Sequence, residues 1–225
     1  ETRATKRLAL GDEIRDWTIT DGIYSLFPYH DEQLIDIGEL PGLERWLWCS
    51  RTVLGNRATF SRQTYFTEGR PWWEWHQVTL QRLRTPLSIV FAFVATHNHF
   101  VLDRGGKVFN RTAPVIKLPE DATEDDHLAL LGLLNSSTAC FYLRQITHSL
   151  GGGAGASKRG NADWENFLAL NAARVSAIPI TQDASIALAK TLDSLAQRLA
   201  AHAGSALLNR LDRIDRDALN EALWL

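Results

Sequence analysis

Between Ser88 and Thr96 the chain reads SIVFAFVAT, a run of β-branched and aromatic side chains with no charge in it. Branching at Cβ suits the pleated backbone, so the run predicts a buried strand, and a buried strand requires a sheet around it. Phe100 to Leu102 follows, then Asp103-Arg104-Gly105-Gly106-Lys107. Two glycines between β-prone runs predict a hairpin, with Arg104 and Lys107 flanking its tip. Val108-Phe109 and Val115 to Leu118 continue the sheet. Pro114 and Pro119 place the last strand at an edge, because proline cannot donate to a strand ladder. Residues 57–118 are therefore expected to be mainly β. The longest apolar run, Ile89 to Ala95, falls well short of the ~18 residues a membrane helix needs.

The pattern changes after Pro119. Thr123-Glu124-Asp125-Asp126 has the form of a capping box, and the helix it opens carries Leu128, Leu131 and Leu134 on one side. Asn135-Ser136 is expected to cap a second helix, Thr138 to Thr147. A glycine-rich loop, Gly151 to Gly160, follows, and then a short helix around Asp163 to Ala172. Leu188, Leu192, Leu195 and Leu199 fall at helical steps, Ala203-Gly204-Ser205 interrupts them, and Leu207, Leu211, Ile214 and Ala218 resume. That spacing predicts a helical hairpin. Near the start, Gly38, Pro41 and Gly42 divide Leu34 to Trp48 into two short elements. The expected fold is α+β: a mixed, largely antiparallel sheet with flanking helices and a C-terminal helical hairpin. It divides into a connecting segment 1–50, a central domain 51–180 and the hairpin 181–225.

Charge is unevenly placed. The 225 residues carry 24 Lys plus Arg against 26 Asp plus Glu, yet residues 51–117 hold ten basic side chains and three acids, +7, leaving −9 elsewhere. A basic segment inside an acidic chain is a candidate anion-binding face, and a nucleic-acid backbone is the commonest such anion. Charge alone also fits a solvated surface paired with acids elsewhere. With 45% hydrophobic and 22% charged residues, disorder is excluded. The N-terminus has neither a signal-peptide pattern nor an initiator Met, so the chain reads as a piece of a longer protein. Two cysteines, Cys49 and Cys140, make no disulfide framework, and a cytoplasmic location is expected.

Several motifs compete for chemistry. The glycine loop has Ser157 where a phosphate-binding loop needs Gly before Lys158, and Lys158 where a dinucleotide fingerprint needs its third Gly. It reads instead as a loop bringing Lys158 and Arg159 to a polyanion, or as a plain linker. His97 and His99 would share a face of a strand and could grip a metal, but no third ligand is obvious, though His76 and Cys49 exist, and no metal site is expected. In Pro71-Trp72-Trp73-Glu74-Trp75-His76, next to Arg70, the indoles of Trp72 and Trp75 could stack on bases or fill a core. Arg104, Lys107, Asn110 and Arg111 would sit on a projecting ribbon, a shape that fits the DNA major groove.

The runs Tyr65 to Gln77, Phe93 to Phe100, Phe109 to Pro119 and Leu130 to Phe141 resemble the C-terminal specificity region of large adenine-specific DNA methyltransferases. The resemblance is to the PglX-type enzymes of BREX phage-defence systems and to the fused type II restriction–modification methylases. It spans residues 45–180. It implies a target recognition domain that binds duplex DNA and positions a catalytic domain of the same parent chain. That catalytic domain would flip an adenine against an Asn-Pro-Pro-Tyr-type motif and hold S-adenosylmethionine. This chain contains no Pro-Pro pair, so no catalytic residue and no cofactor are expected within it. Arg51, Arg57, Arg62 and Arg70 are then candidate phosphate contacts, and Arg104, Lys107, Asn110 and Arg111 candidates near base edges. Two rivals stand beside this: a protein-interaction module of a defence complex, and a metal-dependent nuclease using His97 and His99.

Overall fold

The computed structural model describes residues 2–20, 23–76, 78, 80, 86–150, 167–180 and 185–211. The chain folds as two compact units that interleave along the sequence. Unit 1 takes Glu1–Leu8, Gly22–Pro86 and Gly105–Val108, and unit 2 takes Ala9–Asp21, Leu87–Arg104 and Phe109–Leu225. The divisions expected after residues 50 and 180 coincide with none of these crossings. The mixed α+β class is as expected, with small antiparallel sheets and a C-terminal helix.

Unit 2 is built on the apolar run. Ser88–Phe91 (β7) lies between Phe100–Asp103 (β9) and the edge strand Val115–Ile116 (β11), antiparallel to both. Side chains on a strand alternate between faces. Ile89, Phe91, Phe100 and Leu102 enter one core with Leu128, Leu131, Leu134 and Leu143. Val90, Ala92 and Val101 enter a second cluster with Ala9, Ile14 and Ala113. Both faces are covered, which is why the run shows no polar alternation. The run then changes partner: Val94–Ala95 (β8) pairs with Phe167–Ala169 (β13), which pairs with Ser149–Leu150 (β12). The helix expected around Asp163 to Ala172 is thus replaced, over its described part, by a strand that sends Leu168 into the core. A short helix, Ala172–Val175 (α5), follows, capped by Asn171.

The helix Glu124–Leu134 (α3) starts at the predicted box: Asp126 N–H donates to the Thr123 hydroxyl at 3.2 Å, and Thr123 N–H donates to the Asp126 carboxylate at 2.8 Å. Ser136 caps Ser137–Ile146 (α4), accepting from Ala139 N–H. Asn135, expected to share that capping, does something else. Its amide accepts from Phe100 N–H at 3.0 Å and donates to Phe100 C=O at 2.9 Å. It stands in for the missing neighbour on the open edge of β9, where unpaired backbone groups would be costly. Asn98, buried, donates to the carbonyls of Leu134 and Ser136.

The break expected at Ala203-Gly204-Ser205 does not occur. Ile186–Leu211 (α6) is one continuous helix. A single interior glycine costs a helix about 1 kcal/mol, too little to stop a long one by itself. Residues from 212 onward lie outside the described residues, as does the glycine loop.

In unit 1, Thr5–Ala9 (β1) pairs antiparallel with Ile23–Leu26 (β4), and Lys107–Phe109 (β10) joins β1 on its other side. The hairpin predicted at Gly105-Gly106 is therefore absent: β9 and β10 belong to different sheets. Both glycines do take positive φ, 103° and 85°, but they serve the chain's crossing from unit 2 into unit 1. The pair Tyr29–His30 (β5) and Gln33–Leu34 (β6) leads into a 3-10 turn, Ile37–Glu39, and the helix Pro41–Leu47 (α1), the two short elements expected. A second 3-10 turn, Trp48–Ser50, joins α1 to Arg51–Gly55 (α2). Residues 57–87, expected to be β, hold only an isolated bridge, Ala58 to Thr64, among the described residues. Back in unit 2, Ile14–Arg15 (β2) and Thr18–Ile19 (β3) form a tight hairpin.

Candidate nucleic-acid interface

The tryptophan run packs inward, with Trp72 buried and Trp73 and Trp75 half-buried. Trp72 is buried with Ala4, Ile37, Leu40 and Leu43, edge-on to Trp73 and Trp48. Trp75 packs edge-on against Phe27, and its indole N–H donates to Leu26 C=O at 2.8 Å. Trp75 N–H donates to the Tyr29 hydroxyl, whose burial pushes its pKa up to about 12. Trp72 and Trp75 thus sit in the cores of unit 1. An aromatic run in a segment poor in strands serves here as a set of packing posts, and the indole N–H groups of Trp73 and Trp75 donate to backbone carbonyls.

Arg57, Arg70 and Arg104 are engaged in structure. Arg57 donates to the carbonyls of Leu54, Trp72 and Glu74 at 2.7–2.9 Å and lies over the Tyr65 ring. Arg70 pairs with Glu74 and also lies over Tyr65. Arg104, at the end of β9, binds Glu124 of α3 and Asp193 of α6, each at 2.7 Å. Asn110 accepts from the Thr112 N–H and hydroxyl through Oδ1, closing a turn. Lys107 is half-buried. Arg51, Arg62 and Arg111 are exposed. Lys158 and Arg159 lie outside the described residues.

Unit 1 carries an exposed aromatic surface on the ridge formed by α1, the second 3-10 turn and α2, apart from the exposed Tyr24 and Phe60. Trp46 is 68% exposed and Trp48 57%. The Arg51 guanidinium sits 5.1 Å from the ring centroids of both Trp48 and Phe66. Phe66 rests on Gly55, where an added Cβ would fall 2.1 Å from the ring. Arg45, Trp46 and Cys49 line an open hollow beside Gly42 and Ser50. Flat faces interleaved with guanidinium groups form the kind of surface that stacks on bases and tracks a phosphate backbone. The tryptophans open to solvent here are not the two that the sequence singled out. The stretch Arg45-Trp46-Leu47-Trp48-Cys49-Ser50-Arg51 carried the same interleaving of basic and aromatic residues.

Folding also dilutes the charge segregation. Unit 1 holds eleven basic and eight acidic residues, +3, leaving −5 on unit 2. Asp31, Glu32, Asp36, Glu39 and Glu44 join the basic segment in space although they precede it in sequence.

A second cluster lies in unit 2. His97 and His99, between β8 and β9, place their rings 4.0 Å apart. Asp16, in the turn of the β2–β3 hairpin, faces both: 2.6 Å from His99 Nδ1 and 3.7 Å from His97 Nε2. Burial raises the Asp16 pKa, but the hydrogen bond and charge of His99, with those of His97, outweigh it and leave the carboxyl below its ordinary value. Burial and the neighbouring His99 lower the His97 pKa against the pull of Asp16. Asp16 is the third group the sequence did not reveal. It lies 83 residues from His99, and no local motif marks it.

No known family profile matches the chain. Over nearly its whole length it is related to one segment of an adenine-specific methyltransferase. That relative is the adenine-specific methyltransferase PglX of Streptomyces coelicolor, 46% identical over 211 residues, which are 92% of this chain and 17% of PglX. The chain therefore spans about a sixth of the relative it matches. Among the described residues, no helix is long and apolar enough to cross a membrane.

Proposed function

We propose that this chain is the target recognition part of an adenine-specific DNA methyltransferase of a BREX-type phage-defence system. It binds duplex DNA and positions the catalytic domain of the same parent chain, in the cytoplasm, alongside other defence-system subunits. S-adenosylmethionine belongs to that catalytic domain. The observation that carries the reading is the 46% identity to a segment of a methyltransferase in a stretch with no Pro-Pro motif. The exposed Arg45, Trp46, Trp48, Arg51 and Arg62 of unit 1 support it as a surface of the right chemistry. Arg111, Lys158 and Arg159 remain further candidate phosphate contacts on sequence grounds.

Neutralising a phosphate releases counterions, so affinity must fall with salt. With three contacts, from Arg45, Arg51 and Arg62, affinity for a duplex should drop about 40-fold between 50 and 200 mM salt. A flat salt response in fluorescence anisotropy would remove the DNA reading. One observation favours a second role, as a protein-interaction module: Leu188, Leu192, Leu195 and Leu199 of α6 are all exposed, an apolar stripe suited to docking another part of the parent protein. Replacing them with Gln and Glu would then weaken assembly with the rest of the methyltransferase and leave DNA affinity unchanged.

A further inference from the structure

We infer that Asp16, His97 and His99 form a binding site for a divalent transition-metal ion of the zinc class. The donors are two imidazoles and one carboxylate, a set that suits zinc and its first-row neighbours and suits magnesium or calcium poorly. Their ligand atoms all lie within 4.8 Å of one another. Tetrahedral bonds of about 2.0–2.2 Å need donor atoms about 3.3–3.6 Å apart. The His97–Asp16 separation of 3.7 Å is already close to that, and the 2.6 Å His99–Asp16 contact opens by rotation of one carboxylate.

The arrangement is fixed from outside the cluster. His97 and His99 flank Asn98 in the bend between β8 and β9, and that bend brings their rings to 4.0 Å of each other on one side. The Thr96 hydroxyl lies 3.1 Å from His97 Nδ1, which leaves Nε2 to face Asp16. Metal-ligating imidazoles are oriented in this way through their second nitrogen. Asp16 is delivered by a turn whose next residue, Trp17, holds φ at 65°, a left-handed conformation that a bulky side chain adopts only when its surroundings impose it. Those surroundings are visible: Trp17 N–H donates to Phe100 C=O at 3.0 Å, Gln197 donates to Trp17 C=O, and the indole packs against the main core. The His99 side chain is only 13% exposed, whereas His97 and Asp16 are about half open. The site thus has a closed back and an open front, leaving a fourth position for water or another ligand. Arg144, which donates to Thr96 C=O, puts a positive charge near His97 and tempers the affinity for a cation.

The test uses the whole chain and the metal alone. Zinc is titrated in competition with a chromogenic chelator, and cobalt is added separately to record its visible bands. The expected result is one equivalent bound per chain, with the intense cobalt bands of a four-coordinate site. His99→Ala should abolish that equivalent, Asp16→Asn should weaken it, and Thr96→Val should weaken it about 10-fold through loss of the orienting bond. Circular dichroism of each variant establishes that it is folded. Binding by the wild type equal to that of a folded His97→Ala/His99→Ala double variant would assign the metal to other histidines and overturn the proposal. So would the absence of any bound equivalent. Because no DNA enters the measurement, failure here leaves the recognition reading untouched, and failure of that reading leaves the metal site untouched.

Discussion

Arg104 separates a structural role from a recognition role most sharply. Its guanidinium holds Glu124, which is about half exposed, and Asp193, whose side chain is 6% exposed. The Glu124 contact, between two groups open to water, contributes at most about 1 kcal/mol. The Asp193 contact differs. One Asp193 oxygen has no hydrogen-bond partner among the described residues, so Arg104 is the charge that compensates this carboxylate. Removing one partner of a fully buried pair costs about 3–5 kcal/mol. The Arg104 side chain is 40% exposed, so water reaches that end and the cost falls to about 2–3 kcal/mol. Arg104→Ala should therefore lower the midpoint of thermal unfolding by about 4–12 °C for a chain of this size. Asp193→Asn removes the charge that needs compensating. In its background, Arg104→Ala should cost much less, giving a coupling of at least about 1 kcal/mol in a double-mutant cycle. An unchanged midpoint together with sequence-selective loss of DNA affinity would refute this account and restore Arg104 to the base-reading role its sequence context suggested.

Three further outcomes follow from particular contacts. Asn135→Ala should destabilise by about 1–2 kcal/mol in urea unfolding, because it leaves Phe100 N–H without its side-chain partner while Phe100 C=O keeps the Trp17 N–H, whereas Asn135→Asp retains the acceptor and should cost less. Gly132 faces Ala189 across the α3–α6 contact, where an added Cβ would lie 2.9 Å from the alanine methyl. Gly132→Leu should cost about 1–3 kcal/mol, measured as a shift in urea midpoint at constant slope. Acidification should weaken unit 2 through His97. Its folded pKa lies below the ordinary 6.5, so its contribution is present above that value and is lost as pH falls through the folded one. Comparing urea midpoints of the wild type and His97→Gln between pH 7.5 and 5 checks the direction, and identical pH profiles would contradict it.

Sequence alone determined the features that depend on neighbours along the chain. The capping box at Thr123, the Ser136 cap, the edge position of Val115–Ile116 and the burial of the SIVF strand were all legible, because propensity, capping and proline chemistry act within a few residues. The related segment of PglX was legible for the same reason, since its motifs are contiguous. Tertiary structure decided what depends on distant partners. It split SIVFAFVAT between two sheets, turned Phe167–Ala169 from expected helix into strand, and let α6 run through Ala203-Gly204-Ser205. It sent the Gly105-Gly106 crossing to a second sheet, so that Arg104 faces a buried aspartate and not an open groove. It buried Trp72 and left Trp46 and Trp48 exposed, though composition treats all three alike. It brought Asp16 against His97 and His99 across more than eighty residues. Side-chain identity fixes what each group can bond to, but only packing decides which groups meet, because burial and contact are set by residues far apart in the chain.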